Sequence, residues 1–101
     1  MRTPQRIVAK LLSEARKELG ARRLNDVWVF CQKAERSLER RTGLREHAIT
    51  ISPYKDCRWA VSFVVSHSPG VCRWIEIPVS FEQVCDDRTS IARLMRARIK
   101  N

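Results

Sequence analysis

Apolar residues recur at helical spacing in the first third of this chain and at strand spacing in its middle. Ile7, Val8, Leu11, Leu12, Ala15 and Leu19 step by three and four, which draws one apolar stripe along a helix. Thr3 suits its cap, Pro4 its first turn and Gly20 its stop. A second stripe of Val27, Phe30, Cys31, Ala34 and Leu38 predicts a helix that opens at Asn25 or Asp26 and ends at Gly43. Val27-Trp28-Val29-Phe30 is rich in strand formers, but the spacing downstream decides for helix.

From His47 the period changes to two. Ile49 and Ile51 alternate in a first strand, Trp59, Val61, Phe63 and Val65 in a second, and Ile75, Ile77 and Val79 in a third. Pro53–Asp56 and His67–Gly70 read as turns. Setting Phe63 opposite Ile75 and Val61 opposite Ile77 gathers the aliphatic residues on one face. Setting Phe63 opposite Trp74 scatters them, so the first register is expected, with an odd-length hairpin loop. Pro78 has no amide hydrogen for a ladder, which makes the third strand an edge. Ser80 and Gln83 have capping-box spacing over a helical turn. Asp86-Asp87 then precede a last helix whose inner face is Ile91, Leu94, Met95 and Ile99. The expected fold is α+β in the order ααβββα, a single domain over residues 1–101.

The αβββα order of the last elements resembles the layout of double-stranded-RNA-binding domains. However, Asp86-Asp87 open the final helical part where that family places lysines. No residue role is carried over from it.

Charge is more informative here than overall composition. The hydrophobic fraction of 44% is enough for a folded core, and the net charge is +9. The excess is concentrated in the first 24 residues and the last helix, and it is mostly arginine. Arginine suits planar, bidentate contact with phosphate or carboxylate. Lys10, Lys17, Arg22, Arg23, Arg93, Arg96 and Lys100 form one patch if the terminal helices are neighbours. The stripe Arg93, Arg96, Lys100 lies on one side of its helix.

The tripeptide Cys-Arg-Trp occurs twice, at Cys57–Trp59 and Cys72–Trp74, each time at the opening of a strand. Trp59 is in phase with the core. Trp74 is out of phase and shares the other face with Arg58, Cys72 and Glu76. Trp74 and Arg58 on an open face suit an unpaired base or a protein partner. Three helices for three strands favour the alternative, in which a helix covers that face and buries Trp74.

Other chemistry has little support. The cysteines Cys31, Cys57, Cys72 and Cys85 lack metal-site spacing, and no cofactor motif is present. Without a secretory signal they read as reduced thiols in a cytoplasmic protein. No apolar run approaches the length of a membrane span. No nucleophile–base motif appears, so enzyme activity is not expected. The first expectation is a nucleic-acid-binding accessory or regulatory protein, acting on DNA, RNA or a nucleoprotein complex. The second is a protein–protein interaction factor, such as a phage or mobile-element inhibitor of a host defence or transcription complex, anti-CRISPR proteins being one type. The third is a toxin-like ribonuclease using His47, Tyr54 or His67. A homodimer through a free edge strand or the second helix is the default oligomer.

Overall fold

The computed structural model describes residues 5–20, 24–45, 47–54 and 58–100. Its elements are α1 (Gln5–Leu19), α2 (Leu24–Thr42), β1 (Ile49–Tyr54), β2 (Arg58–Ser68), β3 (Val71–Val79), α3 (Phe81–Asp86) and α4 (Arg88–Lys100). The expected ααβββα order holds, with the last helical part divided in two at Asp87. The three strands form one antiparallel sheet in the order β1-β2-β3.

Local chemistry sets the boundaries. Gly43, at φ 74°, ends α2 and donates its amide to the Glu39 carbonyl at 2.9 Å. A left-handed residue at this place closes a helix, and glycine adopts it without strain. The expected capping box is formed. Ser80 Oγ accepts from the Gln83 amide at 3.0 Å, and Gln83 Oε1 accepts from the Ser80 amide at 2.8 Å. Ser80→Ala should cost about 0.5–2 kcal/mol, read as a lower urea midpoint with unchanged slope.

The register is the one the aliphatic pattern favours, with Phe63 opposite Ile75 and Val61 opposite Ile77. The hairpin closes differently from expectation. Ser66 pairs with Cys72 and Ser68 with Val71, so the loop is the two residues Pro69-Gly70 and the odd residue is a bulge in β2. Pro69 fixes its own φ and Gly70 supplies φ 80°, the combination a tight Pro-Gly turn requires. The extra residue on β2 restores the parity that a two-residue loop alone would break.

The apolar face of the sheet meets the helices in one core. It holds Trp59, Val61, Phe63, Ile75 and Ile77 from the sheet, Leu12 and Ala15 from α1, Val27, Cys31, Ala34 and Leu38 from α2, and Ile91 and Met95 from α4. Phe81 joins through Trp59 and Phe30, with ring centroids 4.9 and 5.8 Å apart. Leu94 departs from expectation. It is 49% exposed, and Ala92 takes the inward place between Ile91 and Met95. The buried arc of α4 is therefore rotated by part of a turn from the one predicted.

On the second face of the sheet Trp74 is 58% exposed and Thr50 is exposed, while Ala60 and Ser62 at its centre are buried. The exposure of Trp74 corrects the expectation that a helix buries it. The reason lies in the residues of that face. Thr50, Ser52, Ala60, Ser62 and Glu76 accompany Val64 and Trp74, and they give a helix little apolar surface to pack on.

Beta strand β1 is sealed along its outer side by α2. Glu35 Oε2 accepts from the Ile51 amide at 2.9 Å, and Glu39 Oε1 accepts from the His47 amide at 3.1 Å. Ile51 therefore points its amide away from β2. Backbone alternation puts the nitrogen of Pro53 on that side too, where it has no hydrogen to offer. Burial, reinforced by nearby Glu39, raises the pKa of Glu35 above its ordinary 4.5, while the Ile51 amide and His47 oppose the rise. A carboxyl with a raised folded-state pKa binds its proton more tightly when folded. Its contribution to stability thus declines as pH climbs from about 4.5 through the folded titration. Glu35→Gln keeps an oxygen for Ile51 and removes the proton. Urea melts of the two proteins should therefore diverge across that window, with the variant lacking the wild type's decline.

Candidate nucleic-acid interface

Three arginines cap helix ends. Arg88 Nε donates to the Val84 carbonyl at the end of α3 at 3.0 Å, with its guanidinium 5.2 Å from the centre of the Phe30 ring. Arg73 Nη2 donates to the Arg98 carbonyl near the end of α4 at 2.7 Å. Arg96 Nη1 donates to the Arg41 carbonyl near the end of α2 at 2.9 Å. Each places a cation at a negative helix terminus, which is favourable. Part of the +9 charge thus has a structural role that spacing in sequence does not reveal.

The Arg96 contact also decides which cations are neighbours. Arg41 reaches α4 in turn, its Nη1 donating to Thr89 Oγ1 at 3.1 Å. Thr89, Arg93, Arg96 and Lys100 follow each other at i, i+4, i+7 and i+11, one stripe of α4. Arg41 touches two members of it, so this stripe borders α2. On α2, Ser37 and Arg41 lie on the flank toward it, joined by a hydrogen bond of 3.4 Å, and Lys33 and Arg40 follow on the solvent side. Lys33, Arg40, Arg41, Arg93, Arg96 and Lys100 are all exposed. They make a basic ridge on the solvent sides of the neighbouring helices α2 and α4, joined where Arg96 bonds Arg41. Glu35 and Glu39 of α2 lie on its other flank against β1, and the third acid of the helix, Asp26, stands in its first turn.

The expected patch is therefore divided. Arg93, Arg96 and Lys100 come together, and α2 supplies their neighbours. Alpha helix α1 packs on α2, α3 and β1 rather than beside the α4 stripe. Lys10 lines a groove with Ile7, Leu11 and Glu14, and Lys17 is exposed near the end of α1. Arg22 and Arg23 lie outside the described residues.

Arg58 and Trp74 share the open face but stand at opposite ends of it. Arg58 pairs with Tyr54, whereas Trp74 lies opposite Val64. Six residues of strand β2 separate the two positions, about 20 Å at 3.3 Å per residue. Arg58 instead lines a groove with Glu14, Glu18 and Glu82. The Trp74 indole N–H donates to Glu76 Oε1 at 2.9 Å, which puts a carboxylate beside the ring. A single base contacted by both residues is ruled out by the spacing. The carboxylates beside each disfavour a phosphate there.

The thiols of Cys31 and Cys85 are poorly placed for nucleophilic chemistry, and Cys57 lies outside the described residues. Burial, with help from Glu35 and Cys85, pushes the Cys31 thiol up to about 12. Burial and the carboxylates Asp86, Glu18 and Glu82 likewise raise Cys85 against the pull of Arg88. A raised pKa leaves little thiolate, the reactive form. Among the described residues no group of three or more His, Cys, Asp and Glu gathers as a metal site. No helix among them is long and apolar enough to cross a membrane. His47 adopts φ 65° and anchors its amide on Glu39. The side chains of Tyr54 and His67 lie outside the described residues.

No family model, curated protein or solved structure matches this chain.

Proposed function

We propose that this chain binds the phosphate backbone of nucleic acid through the ridge that α2 and α4 form together. One observation carries the reading. Arg96 and Arg41 are held side by side, by bonds to a carbonyl and a hydroxyl, with Arg40, Arg93 and Lys100 exposed around them. Gathering like charges raises their mutual energy, and an anionic partner lowers it again. A continuous row of guanidinium and ammonium groups matches the repeating charge of a phosphate backbone. The ridge offers no aromatic side chain between its cations, which favours backbone contact over reading of base edges. The chain would then act as a sequence-tolerant accessory factor.

Fluorescence anisotropy with duplex and single-stranded DNA and RNA, repeated across salt concentrations, tests this. Binding should fall linearly on a log–log plot, with a slope that counts the phosphates engaged. Affinity no greater than that of an unrelated protein of equal net charge would rule the reading out.

A further inference from the structure

The sheet ends in two unlike edges. The β1 edge is closed by Glu35 and Pro53, as described above. The same alternation fixes the other side. Ile51 lies opposite Val61, and its amide turns away from β2, so Val61 turns its own toward β3. Val61 pairs with Ile77, so the amides of Ile77, Ile75 and Arg73 face β2. Those of Cys72, Trp74 and Glu76 then face outward, as does the nitrogen of Pro78. Two of the most exposed large apolar side chains, Val71 at 51% and Trp74 at 58%, lie on this strand. A long, largely apolar edge with outward amides is a template for another strand.

We infer that this chain forms a homodimer in which β3 pairs antiparallel with β3 of a second copy, about a two-fold axis through Ile75. That register uses the whole strand, since Ile75 is the middle residue of Val71–Val79. Trp74 of one copy meets Glu76 of the other, the pair already joined within each chain by the indole hydrogen bond. These two residues exchange both backbone bonds, and the Cys72 amide reaches the Pro78 carbonyl. Exposed Val71 meets Val79, and Ile75 meets itself. The only ionisable groups of the strand besides the thiol, Arg73 and Glu76, fall opposite Ile77 and Trp74. No like charges face each other within the paired strands. The contact is self-complementary, as a two-fold interface must be. The sheet becomes six-stranded with the helices of both copies on one side. This inference does not rest on nucleic-acid binding.

The test is sedimentation equilibrium without nucleic acid, in salt high enough to screen the +9 charge of each copy. The mass should rise from 11.8 kDa toward double that value as concentration increases. Glu76→Pro removes an outward amide without touching the β2–β3 ladder, so it should hold the chain at 11.8 kDa. Hydrogen exchange resolved by residue supplies a readout on the unaltered protein. The Trp74 and Glu76 amides should exchange several-fold more slowly in concentrated than in dilute samples. A single-chain mass at every concentration, or Trp74 and Glu76 amides that exchange equally fast in dimer and monomer, would overturn the inference.

Discussion

Replacing Arg40, Arg93 and Lys100 together by alanine should weaken nucleic-acid binding roughly 100-fold and lower the salt slope by about three. The estimate takes about 1 kcal/mol and one phosphate contact for each cation removed. All three side chains are exposed and absent from the hydrogen bonds that cap the helices, so the fold should tolerate the change. The informative control is Arg6, Lys10 and Lys17 replaced by alanine. It removes the same charge from α1, away from the ridge. Under the proposed function this control keeps most of its affinity and nearly all of its slope. Equal weakening by both sets would mean that net charge alone attracts the ligand, and the ridge would have no special role. Anisotropy titrations at matched salt separate the outcomes.

Phe63→Ala should destabilise the protein by about 3–5 kcal/mol, a large part of the ~5–15 kcal/mol typical of a small domain. Phe63 is fully buried on the central strand, opposite Ile49 on one side and Ile75 on the other. Neighbours on both sides are fixed by sheet hydrogen bonds, so the structure can collapse only partly into the space left. Trp74→Ala removes a larger ring one strand away. It should change stability in dilute solution by no more than about 0.5 kcal/mol, because that ring faces solvent. Urea unfolding followed by far-ultraviolet circular dichroism measures both. A severe loss for Trp74→Ala would show that the open face is covered in solution.

That Phe63 and Trp74 lie on opposite faces was legible in the sequence; that Trp74 is left exposed was not. Alternation assigns each strand residue to a face and separates Trp59 from Trp74 correctly. It cannot say whether three helices share one face, because that depends on how much apolar area each face offers. The hairpin register followed from matching aliphatic residues, but the bulge that realises it arises from Pro69-Gly70 closing tightly. Helical spacing likewise found the stripe Arg93, Arg96, Lys100. It did not find Lys33, Arg40 and Arg41, since α2 has similar numbers of acids and bases and looks unremarkable as a string. Only the neighbour relation between α2 and α4 sets Arg41 on one flank and Glu35 and Glu39 on the other. The capping arginines were hidden for the same reason: Arg73 and Arg98 are 25 residues apart, and Arg41 and Arg96 are 55.

The Glu35 carboxylate at the β1 edge has a consequence for solubility. A sheet with two open margins can recruit copies indefinitely and grow into a filament. With one margin closed, each molecule has a single valence, and self-association terminates after one step. Glu35 and Pro53 therefore act as a chain terminator against fibril growth, whatever the open margin of β3 engages.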